Sequence, residues 1–266
     1  MRRRLVEGGS IDMGQNLVSD IPDILSVSML KEIIVQLAEP TLAAFTSKLV
    51  PTESPERIIG VRMPALRRLA KQLLTQEKRT GNRDLIDAFL AEDPHDFLEE
   101  DQLHMILVAE RAQTLGEAIS SLEAFAPRAH FWILTDGLVP RIFKKEPLAA
   151  KPYIMQWLHA DSPWLVRIAL VNLISLYTDE LFDDETMREA ATVAVVQQDM
   201  LSDEYYLNMA LAWYLSMCVV KHPEAGITFL SEQTLPRWVH NKTLQKIRES
   251  RLCSAELKAK TQSLKR

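Results

Sequence analysis

Apolar residues along this chain recur at intervals of three and four, and few stretches alternate with the period of two that marks a half-buried strand. The pattern predicts helices, and proline punctuates it. "SDIPDIL", "MPALRRLAKQLL", "KKEPLAAKPYIMQWL" and "DSPWLVRIALVNLI" each place a Pro where a helix begins. A first turn tolerates Pro because its missing N–H would have had no partner there. Asp161 or Ser162 can cap the helix that follows Pro163, Asp203 can cap "EYYLNMALAWYLSMCVVK", and His222-Pro223 ends it. The expected helices are 22–38, 40–49, 64–79, 82–91, 97–112, 114–125, 129–143, 147–159, 163–177, 183–198, 203–221, 223–233, 237–250 and 254–264. From about residue 97 they fall into consecutive pairs with a spacing of about 35–40 residues. That period predicts an all-α fold, a HEAT-like or armadillo-type α-solenoid of stacked antiparallel helix pairs. A globular helical bundle is the competing architecture. No linker or low-complexity stretch divides the chain, so the expected organisation is a loose tail over 1–20 and one domain over 21–266.

Composition agrees. Helix formers dominate and only 8 glycines are present. A chain of 266 residues buries about three quarters of its unfolded surface, so it needs no covalent staple. Cys218 and Cys253 stand far apart, outside any CxxC or zinc-ligand spacing. No apolar run reaches the ~18 residues of a membrane span. The opening "MRRRLVEGGSIDMGQ" has a basic start without an apolar stretch behind it, unlike a secretory signal. Met13 is an alternative start, and cytoplasm is the default compartment.

Familiar enzyme signatures are missing. The sequence contains no GxGxxG, GxxxxGK[ST], HExxH or GxSxG, and its 6 histidines never form a close ligand pair. Nucleotide cofactors and metals are therefore not expected. Any chemistry rests on carboxylates, aromatics and arginines.

Three constellations carry such groups. In "FWILTDGLVPRIF", Trp132 and Asp136 stand four apart, on one face of the expected helix. The carboxylate beside an aromatic wall can stabilise a developing positive charge; alone, the pair reads rather as a core Trp with an Asp at the helix edge. In "SPWLVRIALVNLI", Trp164 and Arg167 share a face, and Arg167 is a cation in an otherwise apolar helix. Such a cation is costly unless paired, so it holds either a phosphate or a carboxylate, Asp136 among the candidates. In "EYYLNMALAWYLSMCVV", Trp213 lies mid-helix behind Tyr205 and Tyr206. A stripe like this is usually core, yet in a solenoid the equivalent helices line one concave face, where the three tryptophans could converge.

The net charge is −5, which argues against a generic nucleic-acid binder. The charges are segregated, however. Arg57, Arg62, Arg67, Arg68 and Lys71 form one basic run, Arg141, Lys144 and Lys145 a second, and Lys242, Lys246, Arg248 and Arg251 a third. Acids gather in "LAEDPHDFLEEDQ" and "YTDELFDDET". An acidic back and a basic groove can coexist, which leaves a polyanion partner open.

Together these residues resemble the AlkD-like DNA alkylation repair glycosylases, a family of HEAT-like repeats, over about residues 30–252. "KLVPTESPERIIGVRMPALRRLAKQL" is similar to the family's N-terminal signature, a Gly-hydrophobic-x-x-Pro turn leading into a basic helix. Trp132 with Asp136, Trp164 with Arg167, and Trp213 within "MALAW" match its active-site pattern in order and spacing. The resemblance implies excision of cationic alkylated purines from double-stranded DNA, without a general acid and without flipping the base into a tight pocket. It implies that Asp136 stabilises the sugar cation and positions water. Trp132 and Trp213 would pack on the backbone, and Arg167 would hold a phosphate or orient Asp136. Trp164, Arg62, Arg67, Arg68, Lys71, Arg141, Lys144, Lys242 and Lys246 are the expected DNA contacts, with Phe45 a candidate N-terminal aromatic. A monomer is expected. The competing reading is a scaffold of the same fold that binds DNA or a protein without chemistry.

Overall fold

The computed structural model describes residues 23–193 and 203–266, and every regular element among them is helical. The expectations for 1–20, Met13 and the end of helix 183–198 lie outside the described residues, as does the side chain of Asp203. The chain forms two compact units, the first ending at Leu107 and the second running from Val108 to Arg266.

The first unit contains α1 (Val27–Gln36), α2 (Pro40–Thr46), a 3-10 turn (Pro55–Arg57), α3 (Met63–Thr80), α4 (Asp84–Leu90) and most of α5 (Leu98–Arg111). The amphipathic α3 buries Leu66, Leu69 and Leu73 and turns its basic residues outward. The turn before it needs its glycine. Gly60 has φ +79°, and a Cβ there would meet Glu39 O and Ala43 N at 2.4 Å. The buried Glu99 carboxylate accepts from the N–H groups of Ile59 at 3.2 Å and Gly60 at 2.7 Å, which satisfies a loop with no ladder of its own.

The second unit continues with α6 (Leu115–Phe125), a 3-10 turn (Ala126–Arg128), a second 3-10 turn (Trp132–Leu134), α7 (Arg141–Lys145), α8 (Pro147–Trp157), α9 (Pro163–Leu176), α10 (Asp184–Ala191), α11 (Asp203–Lys221), α12 (Pro223–Ser231), α13 (Arg237–Glu249) and α14 (Ala255–Gln262). Ser162, not Asp161, caps α9, its hydroxyl accepting from Leu165 N. Alternate helices α9, α11 and α13 pack side by side, while α8, α10, α12 and α14 back them. This is the layering of an α-solenoid. Between Trp164 and Ile174 only Leu165 escapes full burial, which places α9 at the centre of the unit's core. Gly226 lets α12 close on α11, since a Cβ there would lie 2.6 Å from Val219 Cα.

One expected helix does not exist. Residues 129–143 form the turn at 132–134, a second turn over 135–137 and an irregular stretch to Pro140 before α7 begins. Pro140 drives Val139 out of helical geometry, and Gly137 removes helical preference just before it. The hydroxyl of Thr135 also competes for the backbone, donating to Trp132 C=O at 3.0 Å.

Candidate active site

That broken segment builds the site. The carbonyl of Trp132 accepts from Thr135 N at 3.1 Å, Asp136 N at 3.0 Å and the Thr135 hydroxyl. Three donors on one oxygen fix the turn. Farther along, Asn172 of α9 donates its amide to Leu138 C=O at 2.9 Å and ties the segment to the core helix. Asp136 thus occupies a pinned turn. It does not share a helix face with Trp132 as the spacing suggested.

Arg167 reaches Asp136 from α9. Its Nη2 donates to Asp136 Oδ1 at 2.7 Å, its Nε to the Thr135 hydroxyl at 2.9 Å and its Nη1 to the backbone carbonyl of Tyr206 on α11. The two side chains differ sharply in exposure, 4% for Arg167 and 25% for Asp136. The buried cation is satisfied on three sides, as a charge in an apolar helix must be. It does not reach solvent to take a phosphate; it orients the carboxylate. Asp136 keeps Oδ2 without a hydrogen-bond partner among the described residues. The arrangement offers solvent a fixed anion with one uncommitted oxygen.

The aromatic candidates part company here. Trp132 is half-buried, four residues before Asp136. Trp164 is buried and lies against Tyr206 at 5.5 Å between ring centroids, so its ring offers a ligand little surface. Trp213 is half-buried on α11, seven residues beyond Tyr206 and therefore on the same face two turns along, ~10 Å away. Among the described residues, no hydrogen bond or ring contact joins it to the Asp136–Arg167 pair.

Among the basic candidates of the second unit, Arg141 and Lys144 are exposed on α7. Lys242 stands over the Trp238 ring, and Lys246 lies 3.9 Å from Glu249. In the first unit Arg67 and Lys71 are exposed and Arg68 is half-buried on α3. Arg62 is paired in bidentate fashion with Glu39, at 2.7 and 2.8 Å. Phe45 is exposed on α2.

Sequence reasoning missed Thr135, whose hydroxyl links the turn, Asp136 and Arg167, and Tyr206, whose role is carried by its carbonyl. It also missed a buried cluster in the first unit. Glu92, His95 and Glu100 bring possible ligand atoms within 4.8 Å of one another, and His95 Nε2 lies 3.0 Å from His104 Nδ1. The Lys31 ammonium already supplies the positive charge there, 2.8 Å from Glu92 and 2.7 Å from Asp96. Burial would lower its pKa, but the bonds to Asp96 and Glu92 outweigh that and raise it. Desolvation raises the carboxyl of Glu100. The cluster is an ion network around a lysine.

With this geometry in place, comparison with known families is decisive. The family model described as DNA alkylation repair enzyme matches residues 30–247. The chain belongs to the DNA alkylation repair enzyme family. The match covers the segment from Trp132 to Trp213 and most of both units. A search of curated proteins found no match.

Proposed function

We propose that this family member is a DNA glycosylase that hydrolyses the N-glycosidic bond of purines made cationic by alkylation, of the N3-methyladenine and N7-methylguanine type, in duplex DNA. The observation that carries the reading is the state of Asp136, fixed through one oxygen by a buried arginine and open to solvent through the other. A cationic base is already a good leaving group and needs no general acid. As the bond breaks, positive charge develops on the deoxyribose, and a preorganised carboxylate stabilises it and can orient the attacking water. Arg167 positions this carboxylate without touching substrate. The half-buried rings of Trp132 and Trp213 are available to pack on sugar and phosphate at either side.

The test is release of methylated purine from alkylated duplex, with an abasic site left behind. Asp136→Asn keeps the shape and an acceptor for Arg167 but removes the charge. It should slow release by roughly a hundredfold or more while duplex binding changes little. Wild-type protein that binds duplex and releases no base would establish a non-catalytic scaffold instead.

A further inference from the structure

A line of aromatic rings leaves the Arg167 clamp and plays no part in the chemistry above. Trp164 lies against Tyr206, and Tyr206 meets Tyr205 edge-on at 5.4 Å. Tyr205 in turn meets Trp238 of α13 at 5.6 Å, and Lys242 Nζ stands 5.2 Å from the centre of the Trp238 ring. The line starts in the core, with Trp164 and Tyr206 buried, and comes to the surface as it crosses to α13, where Tyr205, Trp238 and Lys242 are half-buried. It is anchored at the site, because the carbonyl of Tyr206 is one of the three groups that hold Arg167.

The chemistry at its far end selects an anion. Lys242 is held by two neutral groups, the Trp238 ring and the side-chain amide of Gln245 at 2.9 Å. Among the described residues no carboxylate pairs with it, whereas Lys31, Lys151, Lys221 and Lys260 all have one. Its charge is oriented but not neutralised. A cation over a ring still partly open to solvent gains little, so the ammonium can turn to a phosphate at small cost. Trp238, Lys242 and Lys246 stand at i, i+4 and i+8, one stripe along α13, and the helix carries Arg237, Lys242, Lys246 and Arg248 against Glu249 alone.

We propose that Tyr205, Trp238 and Lys242 form a second DNA contact, a strip that receives the sugar–phosphate backbone of the duplex arm flanking the lesion. Trp238 packs against a deoxyribose and Lys242 takes the adjoining phosphate. The inference rests on the reading of this protein as a DNA-repair glycosylase and extends it from the lesion to the flanking duplex. An aromatic face set beside an unneutralised cation is the combination that tracks a nucleic-acid backbone without reading sequence.

Binding of the full chain to duplexes carrying one abasic-site analogue tests it, with the arm on each side of the analogue shortened in turn. Trp238→Ala and Lys242→Gln should each weaken binding to the long duplex, the tryptophan change by roughly tenfold. Lys242→Gln should also lower the salt dependence by about one counterion. Shortening one of the two arms should erase both differences. Trp238→Phe, which keeps an aromatic packing partner for Tyr205, should bind nearly as wild type and separates loss of contact from loss of fold. If folded Trp238→Ala and Lys242→Gln proteins bind the long duplex as wild type does, the strip is wrong even where wild type releases base. If the variants lose binding but wild type releases no base, the strip stands and the glycosylase assignment falls.

Discussion

Thr135 shows how much geometry one hydroxyl can carry. It donates to Trp132 C=O, accepts from Arg167 Nε and lies 3.4 Å from Asp136 Oδ1. Thr135→Val keeps the shape but leaves a buried guanidinium N–H and a carbonyl each short of one partner. We expect a loss of about 1–3 kcal/mol, seen as a lower urea midpoint, and slower base release because Asp136 is held less firmly. Thr135→Ser, which restores the hydroxyl, should recover most of both. Equal behaviour of Val and Ser would show that the side chain only fills space.

At the scale of elements, the close approach of α11 and α12 depends on the missing side chain of Gly226. Gly226→Ala should destabilise the protein by about 1–3 kcal/mol, because the nearest atom to the new Cβ is backbone, at 2.6 Å, and cannot swing aside. An unchanged thermal midpoint would contradict the packing. Most of this hairpin was legible in the sequence. The expected 203–221 matches α11, and Pro223 opens α12 where predicted. The segment 129–143 was misread because apolar spacing outweighed its breakers, although Gly137 and Pro140 stood in plain view. The composition of the site was legible, since the Trp-x-x-x-Asp and Trp-x-x-Arg spacings name Asp136 and Arg167. Its geometry was not. Spacing cannot reveal that Arg167 is spent on buried partners, nor that Tyr206 contributes a carbonyl, since any residue type supplies one. Trp238 went unnoticed because its contact with Tyr205 joins residues more than thirty positions apart, on two different helices.

For the whole molecule, the chain end is tied to the helix that carries the proposed DNA strip. Arg266 N and C=O exchange hydrogen bonds with Asn241, its guanidinium donates to the carbonyls of Gln233 and Leu235, and His240 Nε2 lies 2.8 Å from Leu264 C=O. His240 is fully buried, and its Nδ1 has no hydrogen-bond partner among the described residues. Desolvation therefore lowers its pKa, with the nearby Arg266 charge adding to the effect against the bond to Leu264. The native state then binds fewer protons than the unfolded chain once pH falls to the ordinary histidine range of about 6.5. Stability rises with pH wherever the unfolded state holds more protons, so this residue makes the protein less stable as pH drops through that range. The urea midpoint should fall between about pH 7.5 and about pH 5.5, and His240→Gln, which can still donate to Leu264, should show a smaller fall. The other buried histidines, His95 and His104, are common to both proteins, so the difference between the two curves reports His240. Identical falls would mean that the C-terminal clamp tolerates the proton and that acid acts elsewhere. A smaller fall in the variant, with DNA binding at neutral pH preserved, would place the acid-sensitive point in this clamp and leave the proposed DNA strip of α13 intact.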